Sequence, residues 1–426
     1  MITINYKLKK IIKEYFEETN SKKAYIKKKH LLHEATFDEK EVYEATKIMA
    51  STNVTMGKKV KKFEYEYSEK NSSKFSLMCN SGSSANLLML SCLTSKMNKF
   101  DIKKGDEVIV PSLSWSTTVW PIIQHGLIPV FVDCDPKTYN LDILKLRKSI
   151  SKKTKAILLV HVYGNPCDMD EIIKICKKNK ILLLEDCCEA MGAKYRNKKV
   201  GNFGILSSFS LYFSHHITSL EGGICCTNNK NIIENLRIQR AHGWSRETEN
   251  KTYFIKKYPK LDPRFIFVDL GYNLRPTEVQ GAIASIQLKK LEKIIKIRRS
   301  NYLKYNKYLK NIDGDKIFIQ KESKYSSASW FGLAFTLNIK KYPKLKRVNI
   351  VKYFKLKNIE SRPIIAGNIA NHPVMKNYKY KVRSNLDNSN YIMKNGIALG
   401  LHQSMRNNDI KYVCEKLNYI ITKLTN

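Results

Sequence analysis

The chain has 426 residues, with 76 Lys and Arg against 38 Asp and Glu, a formal net charge of +38. A hydrophobic content of 43% suffices for a sizeable core and excludes a disordered basic tail. No run approaches the roughly 20 apolar residues of a membrane span and the N-terminus lacks a signal-peptide pattern, so a soluble, cytoplasmic chain without a membrane partner is expected.

Residues 1–36 read as an added segment. Ile4, Leu8, Ile11, Ile12, Tyr15 and Phe16 recur there at helical spacing and predict a short amphipathic helix. From residue 37 the chain alternates short apolar runs with helical patterns. The runs Glu107–Pro111, Pro129–Asp133, Ala156–Val160 and Ile181–Glu185 suit buried strands, and Ser84–Met97 and Met169–Asn179 suit helices. Continuous apolar strands alternating with helices predict an α/β domain with a mostly parallel sheet covered on both faces. Near residue 295, inside a long basic helix marked by Leu288, Leu291 and Ile294, the pattern changes to a smaller α+β region with a strand at Trp330–Thr336. The expected division is an extension at 1–36, a large domain at 37–295 and a small domain at 296–426.

The lysines are spread in short clusters such as Lys58–Lys62 and Lys289–Lys296, the pattern of solvated helix faces, and no nucleic-acid-binding motif accompanies them. Their absence is more informative. There is no Lys or Arg at 75–95, 105–136, 181–193 or 201–229, so these stretches should be buried elements and the lining of a site. The ten cysteines show no CxxC spacing, which argues against a metal site and for reduced, buried thiols. Cys187 and Cys188 are read as facing opposite sides of a strand.

Four motifs carry chemistry. Asn80-Ser81-Gly82-Ser83-Ser84-Ala85-Asn86 before an apolar helix can present free N–H groups to a phosphate, or be an ordinary N-cap. Asp186 and Glu189 follow the apolar run ILLL, at a strand end where α/β sheets bind ligands; a helix-start acid is the alternative. In SSFSLYFSHHITSLEGG, Ser210, His215 and His216 sit beside a glycine pair, and imidazole is a natural base near neutral pH. In GYNLRP, Asn273 offers an amide, and Arg275 either clamps a carboxylate or is a surface residue before a helix.

In this order and spacing the motifs resemble the sugar aminotransferase family of pyridoxal-phosphate (PLP) enzymes, of DegT/DnrJ/StrS type, which have the fold type I aminotransferase architecture. The resemblance runs from about residue 38 to the C-terminus, through VTMGKKVKKFEYEYSE, SGSSANLL, GDEVIVPSLSWSTT, PVFVDCDP, YGNPCDMDEI, LLLEDCCEAMGA, FSLYFSHHITSLEGG and LGYNLRPTEVQGAI. It implies that Gly82 and Ser83 hold the cofactor phosphate, Trp115 stacks on the pyridine ring and Asp186 pairs with the ring nitrogen. It further implies that Ser210 contacts the phosphate and that Asn273 reaches the same phosphate from the neighbouring subunit of a homodimer.

One departure bears on the activity. The family places a Schiff-base lysine after the serine, whereas here Ser210 is followed by His215 and His216, and the next lysine is Lys230. The His-bearing subgroup that this chain resembles further, through SHHIT, EGG, AHGW, SWFG, SRPIIAGN and NGIALGLHQ, is the GDP-4-keto-6-deoxymannose 3-dehydratase type. Glu189, where aminotransferases usually carry Gln, fits that type. An iron–sulfur relative is disfavoured because residues 227–413 contain no cysteine. The subgroup implies PLP and its pyridoxamine form (PMP) as cofactor, L-glutamate as cosubstrate, a GDP-linked 4-keto-6-deoxy hexose or heptose as substrate, and His215 as acid–base residue in loss of the C3 hydroxyl. Arg275 is the candidate for binding the glutamate carboxylate, and Arg362 for binding substrate or glutamate. His242, Trp330 and Asn368 are candidates for the sugar pocket, with packing the equal alternative for each.

Overall fold

The computed structural model describes residues 2–24 and 30–426. Fifteen strands form three sheets among these residues. In chain order they are β1 (Phe75–Cys79), β2 (Glu107–Pro111), β3 (Ile128–Val132), β4 (Thr154–Val160), β5 (Leu182–Asp186), β6 (Lys194–Tyr195), β7 (Lys198–Lys199), β8 (Leu206–Ser210), β9 (Gly223–Thr227), β10 (Ile317–Ile319), β11 (Ser326–Ser327), β12 (Leu333–Leu337), β13 (Ser361–Arg362), β14 (Lys381–Val382) and β15 (Gly396–Leu399). The main sheet has the order β1-β9-β8-β5-β4-β2-β3-β14. All its pairs are parallel except those of β9, which runs antiparallel to both β1 and β8.

The apolar runs become strands because both faces of this sheet are covered. Side chains alternate across a strand, so Val108, Val110, Ala156 and Leu158 enter one core. Ile109, Ile157 and Leu159 enter the core on the opposite face. The helix Gly82–Thr94 starts where Ser81 accepts a hydrogen bond from the Ser84 N–H, and it buries Ala85, Leu88, Met89 and Cys92. Each lysine-free stretch lies in this core or on the loops above it.

Gly223 shows how closely the site is packed. A Cβ there would land inside van der Waals contact with the Ser81 carbonyl and 2.8 Å from the Gly82 nitrogen. Gly223→Ala is therefore expected to push the phosphate-type turn off the sheet and to destabilise the fold by about 1–3 kcal/mol. Chemical denaturation measures this, and an unchanged midpoint would contradict the packing described.

The helix Glu278–Tyr308 links two cores. Its Ala284, Leu288, Leu291 and Ile294 pack beside the main sheet. Its Tyr302 and Tyr305 enter the core of the antiparallel sheet β10-β12-β15-β13. The C-terminal region is not a separate block, however. Ile369, Ala370, Met375 and Leu386 belong to the large core, and β14 extends the main sheet beside β3. The expected strand at Trp330 begins only at Leu333, because Trp330 takes a positive φ of 28° in the turn before it. Cys187 and Cys188 also lie past the end of β5, in a turn rather than on opposite strand faces.

At the N-terminus a helix spans Ile2–Ala24, longer than the short one expected. Beyond it, the segment from His30 is stitched to the body. His30 pairs with Ile359, the Leu32 N–H donates to Glu360, and the Thr36 carbonyl accepts from Gln287. No helix among the described residues is long and apolar enough to cross a membrane.

Candidate active site

The site is built on the C-terminal ends of the parallel strands. Asp186 closes β5, and its carboxylate is fixed from three directions. Oδ2 accepts from Asn86 Nδ2 and Thr118 Oγ1, both at 2.8 Å, and Oδ1 accepts from the Cys188 N–H at 3.1 Å. Asn86 is oriented in turn by the Ser208 hydroxyl, 2.6 Å from its Oδ1. Asn86 closes the Asn80–Asn86 motif but was given no role there, and Thr118 and Ser208 were not singled out from sequence. The available signal was an Asn inside an otherwise apolar helix.

The adjacent Glu185 has a different task. Its oxygens accept from the N–H groups of Gly201, Phe203 and Gly204 and lie 3.2 Å from His161 Nε2. His161, Glu185 and Cys187 have ligand atoms within 4.8 Å of one another, a spacing that suits a metal ion. The carboxylate is already saturated, however, and His161 Nδ1 accepts from the Cys167 N–H, so the cluster is a structural network.

Gly82 and Ser210 meet above the sheet. A Cβ at Gly82 would come 2.6 Å from Ser210 Cβ and 3.2 Å from Cys188 Sγ. The start of the helix Gly82–Thr94 therefore lies against the Ser210 hydroxyl, with Ser83 bonded to Thr117 at 2.9 Å. Trp115 heads the helix Ser116–Gln124 and is 57% exposed, an aromatic plate at the surface.

The two adjacent histidines separate cleanly. His216 is buried, and its Nε2 is committed to the Ser329 carbonyl at 2.8 Å. His215 is half-buried, rests edge-on against Phe331 with ring centroids 5.0 Å apart, and has no partner at Nδ1 among the described residues. Burial pushes the His215 pKa down to about 3, opposed by contact with the Cys188 backbone. The ring is thus held neutral. Glu189 accepts the Tyr163 N–H at 2.9 Å, and burial pushes its pKa up to about 7 against the pull of Arg362. The Arg362 guanidinium lies over Phe331 and Tyr163. His33, from the N-terminal segment, packs edge-on against Phe213 in the loop before His215.

Glu189 yields a pH prediction. Its raised pKa means that the folded state holds this proton more tightly, so stability falls as pH rises from about 4.5 to about 7. Glu189→Gln is expected to flatten that decline. Melting temperatures at pH 5 and pH 8 measure it, and an unchanged difference between them would contradict the assignment.

Gly82, Asp186, Glu189, Ser210, His215 and Arg362 thus converge around the turn at Cys188. Three further candidates, His242, Asn273 and Arg275, form a second group on exposed loops. The Arg275 guanidinium donates to Asn273 Oδ1 at 3.0 Å, Asn273 bridges to Ala241, and the His242 N–H donates to the Tyr272 carbonyl. Two candidates take the packing alternative. Trp330 is 1% exposed and stacks on Tyr302 at 3.9 Å, and Asn368 is buried, capping its own turn and donating to Asn390.

Residues 35–418 match the model of the DegT/DnrJ/EryC1/StrS aminotransferase family. The chain belongs to this family. It is 41% identical over 389 residues to the GDP-4-keto-6-deoxy-D-mannose 3-dehydratase of Escherichia coli O55:H7, covering 91% of this chain and 98% of that one. A solved structure of a histidine variant of GDP-4-keto-6-deoxymannose 3-dehydratase with bound GDP-perosamine superposes with a TM-score of 0.86 at 40% identity, covering 91% of this chain and 100% of that one. Another, with a trapped PLP-glutamate geminal diamine, has a TM-score of 0.83 at 39% identity, with 91% and 100% coverage. Within the family's fold type I architecture, this chain carries a histidine where the aminotransferase pattern has lysine. The Ile2–Ala24 helix lies outside the matched region.

Proposed function

We propose that the chain removes the C3 hydroxyl of a GDP-linked 4-keto-6-deoxy sugar, a hexose or a heptose. PLP/PMP is the cofactor and L-glutamate the amino donor. The products are a GDP-3,6-dideoxy-4-keto sugar, ammonia and 2-oxoglutarate, and the deoxygenated sugar suits lipopolysaccharide or capsule assembly. The observation that carries this reading is His215. A neutral imidazole whose buried Nδ1 has no partner among the described residues stands where an aminotransferase needs an amine, against the Cys188 backbone whose N–H also holds Asp186.

The residues fit the cofactor. A Cβ at Gly82 would fill the cradle beside Ser210, and the Asn80 Oδ1 of that turn is a buried polar atom with no partner among the described residues. Gly82, Ser83 and Ser210 would hold the phosphate, Trp115 would cover the ring, and Asp186 would face the ring nitrogen. When bound, the cofactor supplies the amine and the electron sink that make loss of a hydroxyl next to a ketone accessible. Asp186 stabilises positive charge at the ring nitrogen. His215 would take a proton at its unpartnered Nδ1 and return it to the departing C3 hydroxyl. Arg362 binds the glutamate carboxylate or the substrate. The closed apolar wall of Phe331 and Tyr163 keeps water from the reacting carbons.

The chain acts as a homodimer in this reading. His242, Asn273 and Arg275 are exposed beside Leu270, which is 88% exposed, and near the exposed Phe265 and Phe267. Such an apolar surface next to polar candidates suits a neighbouring subunit's site. Asn273 then contacts the phosphate in the partner's site, Arg275 the glutamate carboxylate there and His242 the sugar.

The alternative is a sugar aminotransferase. Incubation with glutamate and a GDP-4-keto-6-deoxy hexose or its heptose counterpart decides between them. Ammonia with a 3-deoxy sugar is expected, and an amino sugar without ammonia would overturn the proposal.

A further inference from the structure

A buried guanidinium takes no direct part in the chemistry above. Arg298 lies on the helix Glu278–Tyr308, is 2% exposed, and forms no ion pair among the described residues. Burial alone pulls its pKa down to about 10. Leaving a charge in an interior without a carboxylate is costly, so its placement calls for a reason.

Its contacts point to one. Nη1 donates to the carbonyls of Trp330 at 3.3 Å and Phe331 at 2.9 Å. One helical turn further on, Tyr302 stacks on the Trp330 indole. The helix therefore grips the turn at 329–331 twice, by its carbonyls and by its indole. That grip acts where the backbone is strained, because Trp330 has a φ of 28°, a region that aromatic residues seldom enter.

The other side of the turn faces the site. The Ser329 carbonyl takes His216 Nε2, and the Phe331 ring meets His215 edge-on and lies under Arg362. Two groups of the site, His215 and Arg362, and the neighbouring His216 thus rest on one turn that Arg298 holds. We propose that Arg298 is a positioning residue, which fixes the turn at 329–331 and through Phe331 sets the place of the His215 ring. Its charge acts in the same sense. His215 is faced by Arg362 from β13, Arg298 from the helix and His33 from the N-terminal segment, all of which favour neutral imidazole.

The kinetic part of the test rests on the dehydratase reading, and a spectroscopic part does not. R298M removes charge and hydrogen bonds while filling the volume, and R298K restores only the charge. In R298M, kcat for ammonia release is expected to fall roughly 10–10²-fold with KM for the GDP-sugar nearly unchanged. R298K should recover part of that loss. In the full-length protein without substrate, the His215 ring-proton NMR signals, assigned with H215N, should shift in R298M because Phe331 moves, while those of His125 stay in place. A lowered melting temperature with wild-type kcat and unmoved His215 signals would reduce Arg298 to a structural residue and overturn the proposal. If R298M does not fold, R298K decides: reduced kcat with shifted His215 signals supports the role, and wild-type values in both overturn it. If the wild-type protein releases no ammonia, the dehydratase reading fails, and the NMR comparison still tests the positioning role.

Discussion

Replacing His215 by asparagine is expected to reduce ammonia release by roughly 10²–10⁴-fold, the usual contribution of a positioned acid–base group. The melting temperature should stay near that of the wild type. His215 Nδ1 has no partner among the described residues and its ring makes an edge contact with Phe331, so an amide of similar size leaves few polar groups unpaired. The same substitution at His216 should act in the opposite way. That ring donates to the Ser329 carbonyl, and its loss leaves a buried acceptor unpaired at a cost of about 1–3 kcal/mol. His215→Lys is the sharper variant. A lysine there competes for the cofactor covalently and can return a proton to the sugar's C4, so dehydration should be lost. Full dehydratase activity in that variant would sink the assignment. Ammonia and 2-oxoglutarate, quantified together, read both effects.

Asp186→Asn should have the second largest effect, a fall in turnover of about 10²–10³-fold, on the scale of losing one preorganised electrostatic contact. The isosteric amide can still accept from Asn86 and Thr118, so the fold should survive. It carries no negative charge to stabilise a protonated ring nitrogen, and its NH2 group would face the Cys188 N–H that Oδ1 now accepts. Asp186→Ala should differ by also leaving the buried Asn86 amide and Thr118 hydroxyl unpaired, which costs stability. Cofactor absorbance titrations with kcat measurements on both variants test this. Wild-type turnover in Asp186→Asn would remove Asp186 from the site.

Most of the large domain was legible because its signals are local. The runs EVIVP, AILLV and ILLLE became β2, β4 and β5 within a residue or two, since short apolar runs between turn signals suit strands covered on both faces. Met169–Asn179 is a helix with the expected bounds, started by Asp168, which accepts from the Glu171 N–H. The lysine-free stretches marked the core and the site's walls, because a charged side chain is rarely buried without a partner. What misled was the C-terminal third, where β14 crosses back to the main sheet and Trp330–Gly332 forms a turn. Both depend on partners far away in sequence.

The sequence by itself determined the architecture and the chemistry at issue. Periodicity and capping are short-range, and the missing lysine at position 215 is visible in the chain. Only the tertiary structure decided which residues of each motif matter. It assigned His216 to the Ser329 carbonyl and left His215 open, tied Asp186 to Asn86 and Thr118, sent Trp330 and Asn368 into packing, and set Arg298 behind the site. The reason is geometric. Neighbours in sequence share composition and spacing, but which of two adjacent imidazoles finds a carbonyl depends on a turn more than a hundred residues away along the chain.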